Sequence, residues 1–163
     1  FHFHHVLHRQ PRIAAGKPEA LAVLNNRGPD PNEDWEGYLA HSVKSARTIG
    51  SPGYPFDEAE LRARTERDFK RAFYPIGFQR QYAGVMASPD RLAKLATIKA
   101  PTIVLHGADD PLVPLEGGKD TAERIPGAEL IVVPGMGHDI PPGLYGTIVD
   151  AILRAASRAK ALA

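Results

Sequence analysis

The sequence predicts a chain of the α/β class, in which a helical first part is followed by a strand–helix–strand unit. Two short runs of branched apolar residues, at 101–106 and 130–133, have the composition of buried strands. Residues 116–125 between them have helical spacing, and Pro126 and Gly127 end that helix. A strand, a helix and a second strand in this order are typical of parallel strands in an open α/β sheet.

Each predicted strand ends in a turn that carries a side chain capable of acid–base chemistry. Asp110 lies in the Gly-Ala-Asp-Asp-Pro turn after the first strand, and His138 follows the Pro-Gly-Met-Gly turn after the second. Ligands of open α/β sheets bind at the carboxyl ends of the strands. We therefore expect Asp110 and His138 to face one site.

The region before residue 100 is predicted to consist of amphipathic helices without a strand partner. The expected helices cover residues 18–25, 34–49, 57–74 and 78–87, and a short one starts at 88 and leads to Leu95. Glu60 and Arg64 in the charged 57–74 helix are one turn apart, which is typical of a solvated face. Residues 75–77 are expected to interrupt the helical run, and the buried side of the next helix is expected to consist of Tyr82, Val85 and Met86.

A closing helix is predicted at residues 144–161. Its apolar stripe is expected to consist of Ile148, Val149, Ile152 and Leu153. Basic residues near its end, at 154, 158 and 160, suit the carbonyl end of a helix dipole.

The composition excludes several classes of function. The chain has 163 residues, enough for one domain with a core, and its formal charge of +1 gives no electrostatic reason to expect nucleic acid or an anionic membrane as a partner. Because Cys is absent, no disulfide, thiolate nucleophile or Cys-ligated metal is expected. With no membrane-length apolar run and no signal peptide in view, we expect a cytoplasmic protein.

The stretch from Ala100 to Pro142 resembles the C-terminal part of α/β-hydrolases, specifically the esterase-like group that includes aclacinomycin methylesterases. The pieces that carry the resemblance are PTIVLHGADDPLVP, IPGAELIVVPGMGH and the final helix. The likeness extends back to about Ala15 and covers only the later half of a family member. It implies a partial α/β-hydrolase fold, with a helical cap-like region at 15–99, a C-terminal core segment at 100–163 and an atypical segment at 1–14.

By this resemblance, Asp110 is the acid and His138 the histidine of a triad with the chain order Ser, Asp or Glu, His. The histidine would act as general acid and base, and the aspartate would orient it. Asp109 is the competing acid, and turn or helix-capping roles for the aspartates and a structural turn role for His138 stay open. His106, at the end of the first strand, is expected to be packed or hydrogen-bonded rather than catalytic.

The serine of such a triad is missing, because no GxSxG elbow occurs in the sequence. The nearest string is Ile49-Gly50-Ser51-Pro52-Gly53, which lacks a preceding buried strand, so Ser51 is only a weak candidate nucleophile. The serines with weaker claims are Ser42, Ser45, Ser88 and Ser157. An HGGG-like segment for an oxyanion hole is also absent.

Residues 1–11, FHFHHVLHRQP, differ from the rest of the chain, since four of the seven histidines lie in the first eight residues. One hypothesis is a metal site in which His4 and His8 share a helix face. Others are a tag-like end, or a frameshift near Pro11, because a one-nucleotide shift permits Phe-Ile-Ser-Ile-Met-Ser-Ser-Thr-Gly-Asn-Pro. As no nearby carboxylate or Cys completes a ligand set, we predict no metal. No cofactor is expected either, because the ester hydrolysis that the resemblance implies needs none.

The leading functional hypothesis is a hydrolase acting on a small carboxylic ester, with the acyl and alcohol groups left open. The alternative is a catalytically incomplete fragment that acts as a binding or complementation module. Two late strands alone would leave an unpaired apolar edge. Three situations then remain: a companion N-terminal half on another polypeptide, self-association through that edge, or a poor esterase that uses another nucleophile or water activated by Asp110 and His138.

Overall fold

The computed structural model describes residues 15–88 and 92–161 and confirms the α/β class. The segment at 1–14, with the metal and frameshift hypotheses, lies outside these residues. In chain order the elements are α1 (Pro18–Asn25), α2 (Trp35–Ile49), α3 (Glu58–Ala72), α4 (Pro75–Ala87), α5 (Leu92–Leu95), β1 (Ile103–Gly107), α6 (Leu115–Arg124), β2 (Glu129–Val133), a 3-10 turn (Pro142–Leu144) and α7 (Tyr145–Ala161). None of the described helices is long and apolar enough to cross a bilayer.

Aspartates begin the two long helices of the first part. The Asp34 side chain accepts a hydrogen bond from the Gly37 N–H at the start of α2, and the Asp57 side chain accepts one from the Glu60 N–H at the start of α3. Such caps satisfy backbone donors that have no partner inside the helix. Helix α2 buries Leu39 and Val43, whereas α3 buries none of its residues, which agrees with the solvated face expected for it.

The predicted interruption of the helical run is present, but it lies at Phe73 and Tyr74 and not at residues 75–77, because α3 ends at Ala72 and α4 begins at Pro75. Proline is well tolerated in the first turn of a helix, where its missing N–H would have had no partner. Of the side chains expected on the buried side of this helix, Tyr82 is partly buried, and those of Val85 and Met86 lie outside the description.

Strands β1 and β2 form a two-stranded parallel sheet, in the register Ile103 to Glu129 and Gly107 to Val133. Helix α6 lies on one face, where a Cβ at Gly118 would meet the His106 ring at 2.7 Å. The other face carries the core, in which Val133, Met136 and Leu144 pack together. The side chains packed against that cluster are Tyr54, Leu105, Ile131 and Ile148.

The outer edge of β1 is open. Glu129 donates to the Thr102 carbonyl, and Ala108 donates to the Val133 carbonyl at the other end of the ladder. Because hydrogen bonding alternates along a strand, the backbone groups of Ile103 and Leu105 are directed away from β2. In the part of the chain that the structure describes, no third strand pairs with that edge.

The apolar stripe expected on the closing helix is buried only in part. Ile148 packs against the core, and Ala151 is buried beside it. Val149, Ile152 and Leu153 are exposed, with Leu153 at 58 % of its full accessibility. The face of α7 that packs on the sheet is therefore narrower than the periodicity of the sequence implied.

Leu112 is the most deeply buried large side chain among the described residues, at 1 % exposure. It belongs to the loop after β1, which the chain near residue 16 covers. Lys17 donates a hydrogen bond to the Pro111 carbonyl, and a Cβ at Gly16 would lie 2.3 Å from the Leu112 carbonyl oxygen. The segment 16–17 thus packs against the loop that carries Asp110.

We predict that Leu112→Ala lowers the free energy of unfolding by about 2–5 kcal/mol, because it removes buried methyl groups and leaves a cavity. Leu153→Ala removes the same groups from an exposed position and is expected to stay within about 0.5 kcal/mol of the wild type. Urea unfolding followed by circular dichroism measures both. Equal losses in the two variants would contradict the assignment of Leu112 to the core.

Candidate active site

Asp110 and His138 meet at the carboxyl ends of β1 and β2. The distance from His138 Nδ1 to Asp110 Oδ2 is 2.8 Å. A carboxylate can only accept, so Nδ1 carries the proton and the hydrogen bond runs from histidine to aspartate. Because the two strands are parallel and adjacent, residues that follow their last positions lie at the same end of the sheet.

The loop after β1 holds Asp110 rigidly. Its other carboxylate oxygen, Oδ1, accepts hydrogen bonds from the N–H groups of Leu112 at 2.8 Å and Val113 at 2.9 Å. The side chain is only 6 % exposed. Burial alone would raise the pKa of Asp110, but the hydrogen bond from His138 and the two backbone donors outweigh it, so its pKa lies below the ordinary value of 3.8.

His138 is turned into a stronger base by its surroundings. The hydrogen bond to Asp110 raises its pKa above the ordinary 6.5, burial opposes this, and the charges of Asp110 and Asp139 add to the rise. The His138 side chain keeps 35 % of its surface accessible. Among the described residues none is hydrogen-bonded to Nε2, which leaves this nitrogen free to take a proton from a bound group.

An open cavity of about 270 Å³ adjoins the pair. Its walls come from the end of β1 and from the turns that follow the two strands. The lining residues are Leu105, His106, Gly107, Asp110, Val113, Met136, Gly137, His138 and Asp139. The cavity is large enough for a small reacting group next to the imidazole.

The structure separates the two neighbouring aspartates. Asp109 does not bond to His138; its Oδ2 accepts from the Gly135 N–H at 2.7 Å, and its own N–H donates to the Met136 carbonyl at 3.0 Å. Asp109 therefore ties the acid turn to the histidine turn, and Asp110 alone contacts the imidazole. Asp109, the alternative acid considered from the sequence, thus contacts the backbone of the histidine turn and not the imidazole.

His106 has the packed role expected of it. Its Nε2 lies 2.9 Å from the Val113 carbonyl oxygen, which can only accept a hydrogen bond. The ring also rests against Gly118 of α6. One nitrogen of His106 is therefore occupied by the loop that follows Asp110.

Ser51 lies beside the histidine turn, but its hydroxyl is already engaged. Ser51 Oγ donates to Asp139 Oδ1 at 2.5 Å and accepts from the Gly137 N–H at 2.9 Å. Other serines bond within or beside their own helices: Ser42 to the Tyr38 carbonyl, Ser45 to His41 and Ser88 to the Gly84 carbonyl. Among these serines, the only one in contact with the histidine turn is Ser51, and its contacts are with the residues on either side of His138.

The contact between the segment 49–54 and the histidine turn was not predicted from the sequence. Its closest approach is between glycines: a Cβ at Gly137 would lie 2.1 Å from the Gly50 carbonyl oxygen. A Cβ at Gly53 would lie 2.6 Å from the Gly135 Cα. The glycines on either side of Ser51 were the available signal for this contact, because glycine often lies where two backbones approach closely.

A larger cavity of about 560 Å³ lies in the helical region. Its walls are mainly apolar, and they include aromatic side chains from α2 and α4. The lining residues are Val23, Asn26, Arg27, Gly28, Pro29, Asp30, Pro31, Tyr38, Ser45, Ile49, Phe73, Pro75 and Phe78. Ile49 lines this cavity, and its carbonyl oxygen accepts a hydrogen bond from the His138 backbone N–H at 2.7 Å.

Across residues 15–88 and 92–161, no group of three potential ligands is arranged to hold a metal ion. This finding does not extend to the histidines before residue 15.

Comparison with known proteins gives a consistent relationship. Residues 80–153 match an α/β-hydrolase family model described as TAP-like protein. Rhodomycin D methylesterase DauP from Streptomyces sp. (strain C5) is 29 % identical over 120 residues, which are 72 % of this chain and 39 % of that enzyme. The bifunctional esterase/perhydrolase DCH from Acinetobacter calcoaceticus is 38 % identical over 80 residues, 47 % of this chain and 29 % of that protein.

A solved structure shares the fold. The 2-hydroxy-6-oxo-6-phenylhexa-2,4-dienoate hydrolase of Rhodococcus sp. strain RHA1 superimposes with a TM-score of 0.63 at 19 % identity, covering 89 % of this chain and 51 % of that one. This chain therefore spans roughly half of the solved structure and 39 % of the length of the Streptomyces methylesterase.

We predict a stability maximum that depends on the Asp110–His138 pair. Folding lowers the pKa of Asp110, so its contribution is present above 3.8 and is lost as the pH falls through the lower folded value. Folding raises the pKa of His138, so that contribution is present below 6.5 and is lost as the pH rises through the higher folded value. The pair therefore stabilises the fold most between about pH 4 and 6.5.

Urea unfolding from pH 3 to 9 measures this window. Asp110→Asn should flatten the maximum, because the charge that stabilises the imidazolium is gone. Asp68→Asn, at an exposed aspartate of α3, is the matched control and should keep the shape of the wild-type curve. An Asp110→Asn curve parallel to the wild type would show that the pair is not coupled in solution.

Proposed function

We propose that this chain is a member of the α/β-hydrolase superfamily and supplies the acid and the histidine of a carboxylic-ester hydrolase. The observation that carries this proposal is the 2.8 Å hydrogen bond between His138 Nδ1 and Asp110 Oδ2 at the ends of two parallel strands. The names of the relatives, a methylesterase and an esterase/perhydrolase, support an ester as the substrate.

In this proposal, His138 acts as the general base and then as the general acid. Its Nε2 takes the proton of the attacking hydroxyl or water as the new bond to the carbonyl carbon forms, and later delivers that proton to the leaving alcohol. Asp110 keeps the proton on Nδ1 and stabilises the imidazolium between the two steps. The raised pKa of His138 and the lowered pKa of Asp110 fit these roles, because each side chain stabilises the charged form of the other.

The nucleophile is proposed to come from outside the 163 residues. No GxSxG elbow occurs in the sequence, and the hydroxyl of Ser51 is held by Asp139 and Gly137. Further strands that pair with the open edge of β1 would bring such a group to the same end of the sheet, since parallel strands carry their ligands at their carboxyl ends. Without them, water activated by Asp110 and His138 gives only slow hydrolysis.

Residues 15–99 are proposed to act as the cap of this site. The 560 Å³ cavity between its helices is large enough for the apolar part of an ester. Ile49 lines that cavity, and its carbonyl oxygen bonds to the His138 N–H. In this proposal the bulky group of the ester lies among Tyr38, Phe73 and Phe78, and its carbonyl faces the imidazole.

A second candidate is a binding or complementation module without turnover. The exposed apolar residues of α7, such as Ile152, and the open edge of β1 favour it, because both are surfaces that proteins usually cover. A module of this kind would work equally well without the imidazole. The two candidates are therefore distinguished by the effect of replacing His138.

We predict that the purified chain hydrolyses p-nitrophenyl acetate slowly, and that His138→Ala loses this turnover by about 10²-fold or more, as expected for a general base. His41→Gln is the control, because it replaces a histidine whose ring bonds to the Asn26 carbonyl instead of to a carboxylate. Release of p-nitrophenolate above the buffer rate is the measurement. Turnover that is absent, or equal in the wild type and His138→Ala, would favour the binding module.

We also predict that the purified chain self-associates when no other strand is present, because the open edge of β1 then pairs with a second copy. Ile103→Pro should weaken this association, since it removes an N–H directed away from β2 and leaves the ladder between the strands intact. His41→Gln should associate like the wild type. Sedimentation velocity at several concentrations measures it, and a wild type that stays monomeric at every concentration would contradict the prediction.

A further inference from the structure

We propose that Ser51 is a positioning residue for His138, and that it acts through a clamp formed by Ser51, Gly137 and Asp139. This gives Ser51 a role different from the nucleophile considered above. Its meaning for catalysis rests on the proposed ester hydrolysis, but the clamp itself can be tested without any substrate.

The clamp holds the histidine turn on both sides of the imidazole-bearing residue. The Ser51 hydroxyl accepts from the N–H of Gly137, which precedes His138, and donates to the carboxylate of Asp139, which follows it. A hydroxyl has one donor and two acceptor sites, so a single side chain can make both bonds at once. Removing it would release both neighbours of His138 together.

Two backbone contacts extend the clamp. The N–H of His138 donates to the Ile49 carbonyl at 2.7 Å, and the N–H of Gly53 donates to the Gly135 carbonyl at 2.9 Å. Tyr54, at the end of the same segment, packs against the core cluster. The position of the histidine turn is therefore set by the segment 49–54 as well as by strand β2.

The clamp also places a second carboxylate near the imidazole. The charge of Asp139 adds to that of Asp110 in raising the pKa of His138. Besides Asp110, His138 and Asp139, the remaining titratable side chain that lines the 270 Å³ cavity is His106, which bonds to the Val113 carbonyl. The segment 50–54 contributes no charged side chain, so its effect on the pKa of His138 runs through the Asp139 carboxylate that Ser51 holds.

The chemical consequence is that the helical region controls the basicity of the histidine. With the hydroxyl of Ser51 in place, the Asp139 carboxylate is kept beside the turn. Without it, the carboxylate is free to turn to water, where its charge is screened and its effect on the imidazole falls. Because Ile49 also lines the larger cavity, a group bound there would contact the residue whose carbonyl accepts the His138 N–H.

A double-mutant cycle read by NMR titration of the His138 ring tests the proposal. Ser51→Ala and Asp139→Asn are each expected to lower the pKa of His138, the first by releasing the carboxylate and the second by removing its charge. Because both act on one interaction, the double variant should lie no lower than the lower single variant. Ser51→Thr keeps the hydroxyl and should restore most of the wild-type value.

Ser42→Ala is the matched control, because the Ser42 hydroxyl bonds only to the Tyr38 carbonyl of its own helix. It should leave the titration of His138 unchanged. Amide exchange gives a second readout: the His138 N–H should exchange several-fold faster in Ser51→Ala than in Ser42→Ala. A folded Ser51→Ala with wild-type titration and exchange, or additive shifts in the cycle, would overturn the proposal.

Should Ser51→Ala fail to fold, Asp139→Asn decides the matter, since Asp139 is exposed and its replacement removes no buried group. A His138 titration unchanged by Asp139→Asn would overturn the clamp, whereas a lowered pKa together with faster exchange of the Gly137 N–H would support it. These measurements use no ester. A failure of ester hydrolysis would therefore leave the result on the clamp standing, and the reverse also holds.

Discussion

The parallel pairing of β1 with β2 is the constraint on which the site depends. It brings two turns that are far apart in sequence to one end of a sheet, and the 2.8 Å bond between His138 and Asp110 follows from that pairing. Helix α6 connects the strands and covers one face, while α7 and the core around Val133 cover the other. The contact between His138 and Asp110 is thus a product of a single strand–helix–strand crossover.

The two adjacent aspartates of the site have different contacts. Asp109 and Asp110 are neighbours in sequence, yet one bonds to the backbone of the histidine turn and the other to the imidazole. Successive residues of an extended turn point in different directions, so the choice between them was not available from composition. The two contacts act together, since the contact of Asp109 fixes the histidine turn and the contact of Asp110 fixes the imidazole ring.

The two strands and the meeting of Asp110 with His138 could be predicted because each strand is encoded locally, by a short apolar run followed by a characteristic turn. The beginning of α4 could not, since Pro75 is compatible with both a break and a first turn. The exposed face of α7 was also beyond reach, because periodicity identifies an apolar stripe and says nothing of what packs on it. The contact of the segment 49–54 with the histidine turn depends on tertiary packing, and its only local trace is a group of glycines.

The hydrogen bonds of Ser51 join residues 86 and 88 positions apart in the chain. A contact of such long range closes a large loop, and the entropy of that closure must be met before the contact contributes anything. The strand–helix–strand unit, whose contacts are much more local, can form first. The histidine turn would then acquire its final shape late in folding, and the site would open by local fluctuations that leave the sheet intact. The proposed chemistry of this chain would therefore depend on long-range contacts that form after the sheet.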